Sequence, residues 1–144
     1  MSQVIIYPNT NGGVAVVTPV LSEGDTVQDI AAKVVPAGVS SQIINKSEIP
    51  TDRTLRAAWE YGVSAVEVNV TKAKDLAHTV RRTARAKEFA PYDDIIAKQI
   101  PGADATEAEA QRVLIRSKYD TKQTEIGDCT TPEAITTIVK GMIS

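Results

Sequence analysis

Residues 88–102 read EFAPYDDIIAKQIPG. The stretch carries Pro91 inside an otherwise helix-compatible run, resumes an apolar rhythm at Tyr92, Ile95 and Ile96, and meets Pro101-Gly102. It is either a loop that presents the carboxylates of Asp93 and Asp94 for chemistry, or a corner where two helices fold against each other. The residue before a proline is pushed out of α geometry, so the spacing predicts that the upstream helix ends or kinks at Ala90. Adjacent helical positions point about 100° apart, so Asp93 and Asp94 do not converge on one ion. They suit the positive end of a helix that restarts after Pro91. Phe89, Tyr92, Ile95, Ile96 and Ile100 then supply bulky contacts at the bend, and Pro101-Gly102 reverses the chain. The reading is a packing corner in a helical hairpin.

Upstream of the corner, Ala73, Leu76, Ala77, Val80 and Ala84 form an apolar stripe within about 100° of a helical wheel. Downstream, Asp104 and Glu107 have capping-box spacing, Ala108, Ile115, Tyr119 and Ile126 share one face, and Gly127 is the expected stop. A short third helix follows, with Thr131 as cap, Pro132 at its first position and Ile135, Ile138, Val139 and Met142 inward.

Before residue 70 the period is that of strands. VIIY (residues 4–7) and VAVV (14–17) flank PNTNGG and read as a β-hairpin. Asp25 and Gln28 have capping-box spacing before Val27, Ile30, Ala31 and Val34, and Pro36 and Gly38 close that helix. Residues 41–45 read as a strand. Residues 49–62 read as a second short helix, with Thr51 as cap, Leu55, Ala58 and Trp59 inward and Gly62 as stop. AVEVNV (65–70) alternates as a strand. The expectation is an α+β chain. A small sheet covered on one face by two short helices occupies residues 1–70, and a helical hairpin with a short third helix occupies 71–144.

Composition narrows the classes further. The 144 residues are 42% hydrophobic but only 4% aromatic, so the core must be aliphatic. Residues 1–70 carry four basic and seven acidic side chains, and residues 71–144 carry twelve and eleven. Neither half has the excess expected of a dedicated nucleic-acid binder. One cysteine, Cys129, excludes an intrachain disulfide and a multi-cysteine zinc site. The opening MSQVIIYPN has no basic, apolar signal-peptide pattern, and no apolar run reaches the roughly 20 residues of a membrane span, so a non-membrane protein is expected.

No arrangement of residues calls for catalysis, a metal or a cofactor. His78, the one histidine, lies between Lys74 and Arg82 on the polar side of its helix and is expected to be exposed. Cys129 reads as a small filler in an inter-helix turn. The pair Gly12-Gly13 lacks the strand–turn–helix setting of a phosphate loop. Lys74, His78, Arg81, Arg82 and Arg85 share a face opposite the apolar stripe. Such a face can bind phosphates, but Asp75 and Glu88 interrupt it and no stacking aromatic joins it. A face that is solvated, or paired with an acidic neighbour, is the stronger reading.

Two stretches carry a resemblance. VPAGVSSQIINKSEIPTDRTLRAAWE (35–60) contains VPAG and then IPxDRT-L-RxAW, with Leu55 where the pattern has an aromatic residue. ARAKEFAPYDDIIAKQIPGADATEAEAQRVLIRSKYDTKQTEI (84–126) is the second. Together they resemble small proteins encoded beside the tail-fibre genes of tailed bacteriophages. The order of N-terminal module, helix, apolar-proline corner and return helix is similar, more distantly, to tail-fibre assembly chaperones. The Tyr- and Pro-rich N-terminal segment and proline-rich linker usual in those chaperones are missing here.

The resemblance implies a non-catalytic assembly factor that needs no cofactor and works by protein–protein binding. Its partner would be a tail-fibre or other tail protein, with self-association left open. It would act in the host cytoplasm during assembly, with retention in the virion tail left open. The alternatives are a structural component of the tail or fibre, and a nucleic-acid-binding or host-inhibitory regulator. Phe89 and Tyr92 at the corner, flanked by Arg81 and Arg85, are the expected partner-binding residues, because aromatic and arginine side chains are favoured interface anchors.

Overall fold

The computed structural model describes residues 2–63, 65–98 and 105–143. The chain is α+β and divides into two compact units, residues 1–69 and 70–144.

In the first unit, β1 (Gln3–Pro8) is the central strand of an antiparallel sheet ordered β2-β1-β3, with β2 at Val14–Val17 and β3 at Gln42–Asn45. Ile6 lies opposite Val16 on one side and Gln42 on the other. The hairpin loop is organised by Asn9, whose Oδ1 accepts from the backbone N–H of Asn11 and Gly13 at 3.0 and 2.9 Å. Gly12 takes a positive φ of 81°, the conformation expected of a glycine in that loop. Val4 and Ile6 face the main core, while Ile5 points to the opposite face and is still fully buried. Helix α1 (Val27–Val34) packs on β1 and accounts for that burial, which is why the strand reads as an unbroken apolar run.

The cap of α1 sits one residue later than expected. Thr26, not Asp25, accepts from the Asp29 N–H at 3.2 Å, and Asp29 accepts from the Thr26 N–H at 2.9 Å. Thr26 is extended, as an N-cap must be, and Asp25 instead accepts from the N–H of Ser22 at 3.2 Å.

The second short helix expected over residues 49–62 does not form. Asp52 Oδ1 accepts from both the backbone N–H and the hydroxyl of Thr54, at 2.9 and 2.5 Å, and so ties the segment into a local turn. A single 3₁₀ turn at Arg56–Ala58 follows, and then WEYG becomes strand β4 (Trp59–Gly62). β4 pairs antiparallel with β5 (Ala65–Val68) in a separate two-stranded sheet, so the expected single sheet is two. Aromatic residues favour this half-buried pleated setting over a helix. Leu55, Ala58 and Trp59 are nevertheless all buried.

Trp59 completes a core with Val4, Ile6, Val14, Ile44 and Ala65. Arg53 and Arg56 lie over its ring at 5.9 and 4.8 Å. Gln42 fastens the two sheets together. Its Nε2 donates to the Gly62 carbonyl at 2.7 Å, and its Oε1 accepts from the N–H of Ala65, a residue with φ of 77°.

In the second unit, α2 (Val70–Lys98), α3 (Ala105–Asp128) and α4 (Pro132–Ile143) pack against one another. The expected break at Ala90 is absent, because α2 runs through Pro91. Proline deletes the bond to the Lys87 carbonyl and crowds it, at a cost of about 3 kcal/mol in a helix interior. Pro91 and Lys87 are both exposed, so water can reach the freed carbonyl. On either side, Phe89 is buried and Tyr92, Ile95 and Ile96 are half-buried, which favours continuing the helix. Packing thus outweighs the local preference of the residue before proline. The reading of Asp93 and Asp94 as helix-start residues falls with the break, since both lie well inside α2. The expected reversal at Pro101-Gly102, the cap at Asp104 and the contact from Ile100 lie outside the described residues.

The apolar faces of this unit are those the spacing predicts. Ala73 and Ala77 on α2, Ala108, Ile115, Tyr119 and Ile126 on α3, and Ile135 and Val139 on α4 are buried. The Ala134 N–H donates to Thr131 Oγ1 at 3.3 Å, and Pro132 opens α4. α3 ends at Asp128, one residue past the expected stop at Gly127.

Candidate functional site

The four residues expected to contact a partner all lie on α2, in unequal settings. Phe89 is 8% exposed and belongs to a cluster with Ile115 and Tyr119, with Ala84, Tyr92 and Met142 packed around it. Its ring is a core element and is not offered to a partner. What lies against it are guanidinium groups, Arg85 at 4.7 Å and Arg112 at 5.5 Å from the ring centre. Tyr92 is half-buried beside the cluster.

Arg81 donates from Nε to His78 Nδ1 at 3.3 Å. His78 is therefore half-buried and engaged, where full exposure was expected. Desolvation holds its imidazole below the ordinary range, and the charges of Arg81, Arg82 and Lys74 add to this against Asp75.

The rest of the basic face is tied down within its own unit. Lys74 Nζ donates to the Gly127 carbonyl at 2.8 Å, on the negative end of α3, and Arg82 contacts Thr79 Oγ1 at 3.4 Å. Asp93 pairs with Arg112 Nε at 2.9 Å, an ionic contact rather than an aligned hydrogen bond. Cys129 is buried and its thiol donates to the Glu125 carbonyl. Among the described residues, no group of three or more His, Cys, Asp or Glu could hold a metal ion. Among the described residues, no helix is long and apolar enough to cross a membrane.

A feature with the shape of a site lies beside the Phe89 cluster. A cleft of about 620 Å³ opens between α2, α3 and the end of α4. Val80, Ala84 and Met142 give it an apolar lining, and Thr83, Lys87 and Lys118 give it polar edges. Helical spacing makes this wall: Thr83 and Ala84 lie three and four residues after Val80 on α2, and Lys87 lies four and three residues after them.

Glu88 and Tyr119 lock the wall to α3. Lys118 Nζ reaches Glu88 at 3.0 and 3.2 Å, and the Tyr119 hydroxyl also donates to it. The Tyr119 bond, then Lys118, hold Glu88 below the usual carboxylate range. Burial, and then the Glu88 carboxylate, push Tyr119 up to about 12. Such a site can take up an apolar side chain with a polar backbone around it. It offers no nucleophile paired with a base.

Sequence spacing placed Tyr119 and Met142 on inward faces but could not assemble this cleft, because its three walls come from three helices. Thr83, Lys87 and Lys118 carry no signal that marks them in advance. No family model matches the chain, and neither a curated protein nor a solved structure matches it.

Proposed function

We propose that this chain is a non-catalytic assembly factor of a phage tail-fibre region that acts by binding another protein through the cleft of its helical unit. The observation that carries the reading is the cleft itself, apolar between α2 and α4 and edged by Lys87, Glu88 and Lys118. An immature fibre exposes apolar side chains and unpaired strand edges until its chains assemble, and a shielding partner suppresses the wrong associations. The resemblance of residues 35–60 and 84–126 to proteins of the tail-fibre region points to such a fibre or another tail protein as the partner. Arg81 and Arg85, on α2 but outside the cleft lining, are the residues expected from the sequence to meet its backbone carbonyls or carboxylates. The internal ties of Lys74 and Arg82 weigh against a nucleic-acid role.

Co-expression of a tailed-phage fibre protein with this chain tests the reading. Wild type should raise the yield of soluble, trimeric fibre. Thr83→Trp, at an exposed position that fills the cleft, should abolish the gain while leaving the helical circular-dichroism signal intact. Equal fibre yield with and without the chain, or full activity of Thr83→Trp, would overturn it. Fixed-stoichiometry presence in purified particles would replace it with a virion component.

A further inference from the structure

We infer that two copies of this chain associate through the outer face of α3, antiparallel to each other. The core side of α3 is set by Ala108, Ile115, Tyr119 and Ile126. The opposite pole carries Thr106, Ala110, Val113, Ser117, Thr121 and Thr124, spaced by threes and fours over about five turns. A solvated helix face ordinarily carries Lys, Glu and Arg, and this pole has Asp120 as its one charge. Val113 is 52% exposed and its neighbour Leu114 61%. A shallow groove of about 500 Å³ runs along the same face, lined by Ala105, Thr106, Glu109, Ala110 and Val113.

Charge placement selects the occupant and its direction. Writing the pole as a seam puts Ala110 and Val113 at facing positions, so an antiparallel copy sets each Val113 against the other's Ala110 and each Thr106 against the other's Ser117. The small alanine lets the valine enter, as a knob enters a hole. In the same register the flanking Glu109 of each copy faces Arg116 of the other, twice about the two-fold axis. A parallel copy would set Glu109 against Leu114 and Arg116 against Thr121, with no charge pair. Closed two-fold pairing is also the commonest form of self-association. Glu109 already bonds Arg112 and Arg116 of its own helix at 2.8 and 3.2 Å.

Sedimentation equilibrium of the full chain across a concentration series reads the association directly. Wild type should approach twice the 15.4 kDa chain mass, and Val113→Glu should stay at the single-chain mass throughout. Glu109→Arg or Arg116→Glu alone should weaken association by roughly tenfold, and the double swap should restore it. In a Cys129→Ser background, Thr106→Cys and Ser117→Cys proteins mixed and oxidised should give the mixed disulfide in preference to either symmetric one. A wild-type chain that stays single, a trimer, a double swap that fails to recover, or preferred symmetric disulfides would each overturn the inference.

Discussion

At the scale of single residues, Phe89 and Tyr119 join α2 to α3 in the helical unit. Phe89 fills the space between α2 and α3 beneath two guanidinium groups, so Phe89→Ala removes both a large buried area and a cation-π partner. Urea titration should show a loss of about 3–5 kcal/mol, the usual cost of truncating a buried phenylalanine. Tyr119 gives a pH signature. Its hydroxyl is harder to ionise in the fold than in the unfolded chain, where it titrates near 10, so the neutral form is favoured by folding. That contribution is complete below pH 10 and is lost as pH rises toward about 12. Glu88 has the opposite sign. Its lowered folded value contributes above the unfolded carboxylate range and is lost as pH falls through it. Tyr119→Phe should therefore flatten the alkaline fall in stability between pH 10 and 12 and also shrink the acid loss. Unchanged slopes in denaturant titrations across pH would contradict the Glu88–Tyr119 bond.

At the scale of elements, Pro91 shows where local rules stop. The preference of Ala90 to leave α geometry is real, yet it acts on one residue, whereas Phe89 and Tyr92 gain packing only if the helix continues. Pro91→Ala should therefore stabilise the protein by about 1–3 kcal/mol, since alanine restores the bond to Lys87 and relieves the ring's crowding, less a little unfolded-state entropy. A loss of stability would mean that proline is needed for a bend. The WEYG segment teaches the converse lesson. Trp59 and the upstream Leu55 and Ala58 were legible as inward apolar positions, but their spacing fits a short helix and a turn followed by a strand equally well. The Asp52–Thr54 turn decides between them. Where one period ran long, as in Ala73 to Ala84 or Ala108 to Ile126, the buried face was readable outright.

At the scale of the whole molecule, composition and period made the α+β character legible, and the change of period near residue 70 stands out in the sequence alone. The number of sheets was not legible, because pairing partners such as Gln3 with Asn45 lie far apart along the chain. Nor was the cleft, whose walls meet only after three helices have packed. Because residues 70–144 contain their own buried cluster, a fragment of that span should retain its helical circular-dichroism signal and unfold cooperatively. Non-cooperative melting would show that its core is incomplete.

The Phe89 cluster, which packs Tyr92 beside Phe89 across Pro91, presupposes that α2 is one rod. The most direct test is backbone NMR of the full chain through residues 85–98. Helical Cα shifts should continue unbroken from Arg85 across Pro91 to Lys98, with only the amide bond to Lys87 missing. Extended-chain shifts at Ala90, with a second helix start at Asp93, would contradict the account.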